Sequence, residues 1–163
     1  MFKSYTYGDL NFEQIPAKLL DYYNKNKHFN TPFSIIIGTD SQNHEDTKIV
    51  SVITIICKGH GGIFFYEVTR QPLIKDVRQK LHFETNSSLE IADKLIEEFE
   101  KQEYNELFMN THLSIHVDAG HSDNGKTKPL IPELVGWIKA CGYDCEVKPD
   151  SFAASSIADK ISK

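Results

Sequence analysis

Three apolar runs in close succession constrain this chain more than any other feature. "FSIIIGTD" (33–40), "KIVSVITIICKG" (48–59) and "GIFFYEVTR" (62–70) are rich in β-branched and aromatic residues and are separated by short polar or Gly-containing stretches. That is the pattern of consecutive strands joined by tight turns, and it predicts an antiparallel meander. The period then changes. In "SSLEIADKLIEEFEKQ" (87–102), Leu89, Ala92, Leu95, Ile96 and Phe99 fall on one helical face, with Ser87 or Ser88 as the expected N-cap. "LSIHVDA" reads as a strand, "IPELVGWIKACG" as a helix closed by Gly142, "YDCEVK" as a strand, and the last residues as a short helix.

Upstream, residues 9–26 read as a helix with an apolar stripe of Phe12, Ile15, Leu19, Tyr22 and Tyr23, ended by the Asn/Lys-rich "NKNKHFNTP". Pro16 fits only in its first turn. The expected fold class is therefore α/β. One domain spans 1–163, with 1–30 as an N-terminal helical extension. A mixed five-stranded sheet, in the element order β-β-β-α-β-α-β-α, is covered by helices.

The chain's 163 residues suffice to bury a core without staples, and its net charge of −5 argues against a protein that coats nucleic acid by charge alone. Metal-binding carboxylates would themselves add negative charge, so an enzyme acting on nucleic acid is compatible with it. The charge is uneven: 70–80 carries Arg70, Lys75, Arg78 and Lys80 against Asp76, while 90–103 is acidic. No apolar run approaches the roughly 20 residues of a membrane span. The first residues lack the apolar core of a secretory signal, and Cys57, Cys141 and Cys145 are too few and too isolated for a disulfide framework or a zinc site. A cytoplasmic protein without membrane partners is expected.

Gly120-x-x-x-x-Gly125-Lys126-Thr127 matches the phosphate-binding P-loop pattern. In a working P-loop the helix begins at the Gly-Lys-Thr, so that its amides hold the phosphates. Here Pro132 would lie more than a turn inside that helix, at a cost of roughly 3 kcal/mol. Asp118 and Asp123 would also repel the phosphates. The match is read as an accident of a turn, with a helix beginning near Pro132 instead.

The carboxylates are more informative. Asp40 and Asp118 each follow a buried apolar run at the carboxyl end of a strand, where ligands bind in open sheets. Two such acids on neighbouring strands repel one another unless a cation lies between them. Oxygen-only ligands point to Mg²⁺ or Mn²⁺ rather than zinc.

This element order, with Asp40 ending the first meander strand and Asp118 the fourth strand, resembles the ribonuclease H-like fold. "TNSSLEIADKLIEEFE" resembles the ribonuclease H helix that opens Thr-Asn-x-x-x-Glu, which implies Glu90 as the second acid. "IGTDSQ", "VDAG…NGKT" and "KPDSFAASSIADKISK" resemble the bacterial YkuK-type family of ribonuclease H-like proteins, and the likeness covers the chain from about residue 30 onward. The resemblance implies a metal-dependent nuclease that hydrolyses phosphodiester bonds in RNA, DNA or hybrid. Asp40, Glu90, Asp118 and Asp159 would be its catalytic acids and the ligands of two Mg²⁺ or Mn²⁺ ions. The alternative is a non-catalytic module of the same fold that binds nucleic acid or protein.

The fourth acid has two candidates. The likeness to the last ribonuclease H helix selects Asp159, and Ser156-x-x-Asp159 also reads as a capping box. If that helix starts at Ser151 with Asp150 as N-cap, Asp159 lies about 12 Å further along and Asp150 is the nearer ligand. Glu84 is close enough in sequence to replace Glu90, but reads as a loop residue. His116 shares a strand face with Asp118 and reads first as a core histidine. Ser41 and Gln42 are candidate substrate contacts beside Asp40. His121, Lys126 and Lys128, in the loop after the fourth strand, are candidates for holding a phosphate.

Overall fold

The computed structural model describes residues 1–120 and 127–148. Its centre is the meander: β3 (Phe33–Asn43), β4 (Thr47–Cys57) and β5 (Gly62–Gln71) pair antiparallel in sequence. β6 (Thr111–Gly120) joins β3 on its free edge in parallel, and β7 (Asp144–Lys148) joins β6 in parallel. The described sheet has seven strands rather than five. A short hairpin, β1 (Phe2–Ser4) and β2 (Gly8–Leu10), adds to the β5 edge and gives the order β2-β1-β5-β4-β3-β6-β7.

The N-terminal extension is therefore part strand. Helix α1 starts later than its periodicity suggests, at Ile15–Asn26, after a turn of 3₁₀ helix at Phe12–Gln14. Pro16 does lie in its first turn, where the missing N–H has no intrahelical partner to lose.

Helix α2 (Val77–Phe99) is the largest departure. Its N-cap is Asp76, eleven residues before the expected Ser87, and the Asp76 carboxylate accepts from the Gln79 amide at 3.0 Å. Ser87 and Ser88 are mid-helix: the Ser87 hydroxyl donates back to the Phe83 carbonyl at 2.9 Å, and Ser88 is buried against β3. Glu84 is consequently a helical residue, not a loop residue. A short α3 (Asn105–Met109) leads into β6, and α4 (Ile131–Ala140) begins with Pro132 in its first turn, as expected. No helix starts at Thr127, which precedes a 3₁₀ turn at Lys128–Leu130. The expected last helix lies outside the described residues.

α1, α2 and α4 all pack on one face of the sheet. Ile15 and Leu19, Leu89 and Leu95, and Leu134 and Ile138 join Ile35, Ile37, Ile53, Ile55, Phe65 and Ile115 in a single cluster. Each such aliphatic side chain stabilises by roughly 1.5–3 kcal/mol relative to exposure. Because side chains alternate across a strand, Val50 and Val52 belong to the other face, with Phe64 and Tyr66. β3, hydrogen-bonded on both sides, carries Asp40 into the middle of the sheet rather than to an edge. Among the described residues no helix is long and apolar enough to cross a membrane.

Candidate carboxylate site

β3 and β6 run parallel in register from Phe33–Thr111 to Gly38–His116. Continued two residues further, that register sets Asp40 beside Asp118. Ladder pairing between them has stopped by then, and β6 carries an irregularity against β7 between His116 and Gly120. The two carboxyls approach closely enough to share a hydrogen bond. Burial, then the Asp118 charge and that hydrogen bond, push Asp40 up from 3.8 to about 7. The Ser41 amide donates to Asp40 Oδ1 at 2.9 Å and works in the opposite direction. The Lys148 ammonium lies 3.0 Å from Asp118 Oδ1.

A third acid stands behind this pair. Glu84 on α2 is buried, and burial, followed by the Asp40 charge, holds its carboxyl well above the ordinary range. Lys80, one turn earlier on α2, favours the charged form of both Glu84 and Asp40. Helix and strand are locked here by hydroxyls: Thr39 Oγ1 lies 2.8 Å from Ser88 Oγ and 3.3 Å from Ser51 Oγ. Thr39, Glu84, Thr85, Ser88, His116 and Asp118 are among the residues lining a cavity of about 10 Å³. A space that small holds one water at most, so a hydrated ion would have to sit outside it.

Strand alternation gives Asp40 the face opposite Thr39 and Ser41, whereas Glu84 approaches from the α2 side. This separation accounts for a further observation. Among the described residues, no three His, Cys, Asp or Glu side chains converge on one point as a metal cluster would require. The Asp40–Asp118 pair still fits a hard divalent cation. Both donors are oxygens, their mutual repulsion needs a positive charge, and Mg²⁺ is commonly held by one or two carboxylates with water and substrate phosphate completing its shell.

The remaining candidates divide. Glu90 faces solvent, six residues and a different helix face from Glu84, and accepts from Asn86 Nδ2 at 3.1 Å; the structure does not bring it to the Asp pair. Glu90 was implied by the resemblance of "TNSSLE" to the ribonuclease H helix that opens Thr-Asn-x-x-x-Glu, and the Ser-Ser pair reads as a helix start that left Glu84 in a loop. The signal for Glu84 was present: the apolar and small-residue period extends backward through Ser88, Thr85 and Leu81 to Val77, with Asp76 as cap.

Ser41 is buried. It lies near enough to Glu84 to favour its charged form slightly, yet no aligned bond forms to its hydroxyl among the described residues. The Gln42 Oε1 atom is likewise buried without a hydrogen-bond partner there. Ser41 and Gln42 thus offer polar atoms next to Asp40. His116 is buried within the sheet, beside Gly38. Lys128 is exposed at the start of its 3₁₀ turn. His121, Lys126, Asp150 and Asp159 lie outside the described residues.

A family model described as "Ribonuclease H-like" matches residues 14–163. The chain belongs to the ribonuclease H-like family. This ribonuclease H-like protein is also 27% identical, over 173 aligned positions, to a Bacillus subtilis (strain 168) protein named "Uncharacterized protein YkuK"; the alignment takes in 100% of this chain and 97% of that relative. No solved structure matches it. In this ribonuclease H-like chain Asp40 and Asp118 come together, with Glu84 near enough on the α2 side to feel their charge.

Proposed function

We propose that this chain is a metal-dependent nuclease that hydrolyses phosphodiester bonds. The observation that carries the reading is the pairing of Asp40 and Asp118, two carboxyls from adjacent parallel strands held so close that they share a hydrogen bond in a half-buried site. A soluble fold gains nothing from such repulsion, and perturbed acids of this kind concentrate at functional sites.

In this reading Asp40 and Asp118 would hold Mg²⁺ or Mn²⁺. A cation held there would lower the pKa of a water and offset charge on the phosphoryl oxygens. Glu84 supports Asp40 from the helix side, Ser41 is buried on that same side, and the Gln42 side-chain N–H, on the Asp40 face, would donate to an incoming phosphate. Lys80 adds positive potential at the α2 side of the site, while Lys126 and Lys128 would draw the backbone toward it. Two ions and a fourth acid, Asp159 or Asp150, complete the proposal for the full chain. Family membership supports it, but fold alone does not assign chemistry.

A second reading is favoured by one observation. With Lys148 already beside Asp118 and no three-ligand cluster among the described residues, the same face serves a non-catalytic module that docks nucleic acid. End-labelled single-stranded, duplex and hybrid substrates, incubated with Mg²⁺, Mn²⁺ or chelator, separate the two. Cleavage that needs metal and disappears in Asp40→Asn is expected. Intact substrate in every lane with folded wild-type protein would leave the binding module.

A further inference from the structure

At the end of the sheet opposite Asp40, two loops press three rings together. The segment after α1 carries His28 and Phe29, and the β4–β5 turn carries His60. The Phe29 ring stacks on the His60 imidazole, with centroids 3.7 Å apart and planes 10° from parallel; the His28 ring centroid is 4.1 Å from that of Phe29. All three residues are exposed, Phe29 by 41%.

Exposed rings are usually free to move, but here both loops are pinned. Asn30 takes a left-handed φ of 54°, and its amide donates to the Lys27 carbonyl at 3.2 Å. Across from it, the Lys58 amide donates to the Pro32 carbonyl at 3.0 Å, tying one loop to the other. Gly59 and Gly61 supply φ of 81° and 85° that the His60 turn needs. The Gly61 carbonyl accepts from the Cys57 amide at 2.9 Å and from the Tyr22 hydroxyl at 2.8 Å. The stack is thus set by the backbone.

The two loops carry lysines and no acid of their own, in a chain of net charge −5. Residues 25–29 and 58–60 bring Lys25, Lys27, Lys58, His28 and His60 and no acid. The nearest counter-charges in contact are Asp21, 2.9 Å from Lys25, and Glu106, 3.0 Å from Lys27. A preformed aromatic surface on two loops that also carry Lys27 and Lys58 is complementary to one kind of polymer, which offers flat π-faces and negative charge in alternation.

We infer that the Phe29–His60 stack receives a base of a single-stranded nucleic acid, whose flanking phosphates are drawn to Lys27 and Lys58. Cys57 pairs with Phe33 at the start of β3, and Asp40 lies seven residues further on, roughly 23 Å away at about 3.3 Å per residue. A strand held at the stack therefore has its neighbouring nucleotides within reach of the carboxyl pair. That destination rests on the proposed nuclease reading; the binding itself does not.

The test is fluorescence anisotropy of a labelled oligothymidine of about 15 nucleotides, long enough at about 3.4 Å each to span both places. The full chain is used in chelator, so that nothing is cut. Phe29→Ala and His60→Ala should each weaken binding roughly 5- to 100-fold, and Phe29→Trp should restore it. Because the rings are exposed, the thermal midpoints should not move. Wild-type affinity in both alanine variants, or no measurable binding by wild type, overturns the inference. A change of oligomeric state in Phe29→Ala without oligonucleotide binding also overturns it, and assigns the stack to a protein contact. Cleavage by Asp40→Asn would sink the nuclease reading and leave the anisotropy result standing.

Discussion

Replacing Asp40 by asparagine should stabilise the protein at pH 8 and by only about a third as much at pH 5. The Asp40 carboxyl is raised from 3.8 to about 7 by burial and by Asp118, so the folded chain holds that proton more tightly than the unfolded chain. With more protons bound in the folded state, stability falls as pH rises between about 4 and 7 and levels off above. At about 1.36 kcal/mol per unit, the full shift corresponds to at most about 4 kcal/mol. Partial solvent access and sharing of the proton with Asp118 reduce the expected gain to about 2 kcal/mol. For a chain of this length that is a rise in Tm of roughly 4–8 °C. Urea or thermal unfolding in chelator, at both pH values, measures it. If wild type were the more stable protein at pH 8, or if the difference were the same at both pH values, Asp40 would carry no ionisation penalty and the argument from mutual repulsion would fail.

Other consequences follow from the same geometry. Glu90→Gln should leave both stability and any metal-dependent cleavage within about twofold of wild type, because surface substitutions of this kind are usually worth under about 0.5 kcal/mol. Glu84→Gln, which keeps the volume of the buried acid, should remain folded while cleavage falls; parallel nuclease assays of the two variants decide which acid belongs to the site. Gly62→Ala should destabilise by about 1–3 kcal/mol in urea unfolding, since the added Cβ would stand 2.5 Å from the Ile55 carbonyl oxygen. Asp76→Ala removes the cap of α2 and should cost about 1 kcal/mol by the same measurement.

The meander and the two aspartates were legible because burial imposes its period on long segments, although neither acid ends its strand: β3 continues three residues past Asp40 to Asn43, and β6 two past Asp118 to Gly120. Eleven-residue strands such as β3 and β4 repeat the apolar signal enough times to be unambiguous, and the acid at Asp40 interrupts it visibly. The β1–β2 hairpin was not legible: its strands are three residues each, too short for alternation to register, and Gly8 at φ 76° was the sole turn signal. Glu84 was hidden for a different reason. Ser87 and Ser88 are cap-forming residue types, yet tertiary contacts overrode that preference, with Ser88 satisfied by Thr39 and Ser87 by the Phe83 carbonyl. Local hydroxyl chemistry suggested a helix start where packing against β3 required a helix interior.

The central claim is that the Asp40–Asp118 pair is built around a divalent cation. Titration of the full chain with Mn²⁺ at pH 8, followed by calorimetry or by loss of the free-ion magnetic resonance signal, tests it most directly. The account expects saturable binding by wild type that is lost or weakened at least tenfold, about 1.4 kcal/mol, in Asp40→Asn. Absence of binding in wild type, or equal binding in the variant, would contradict it.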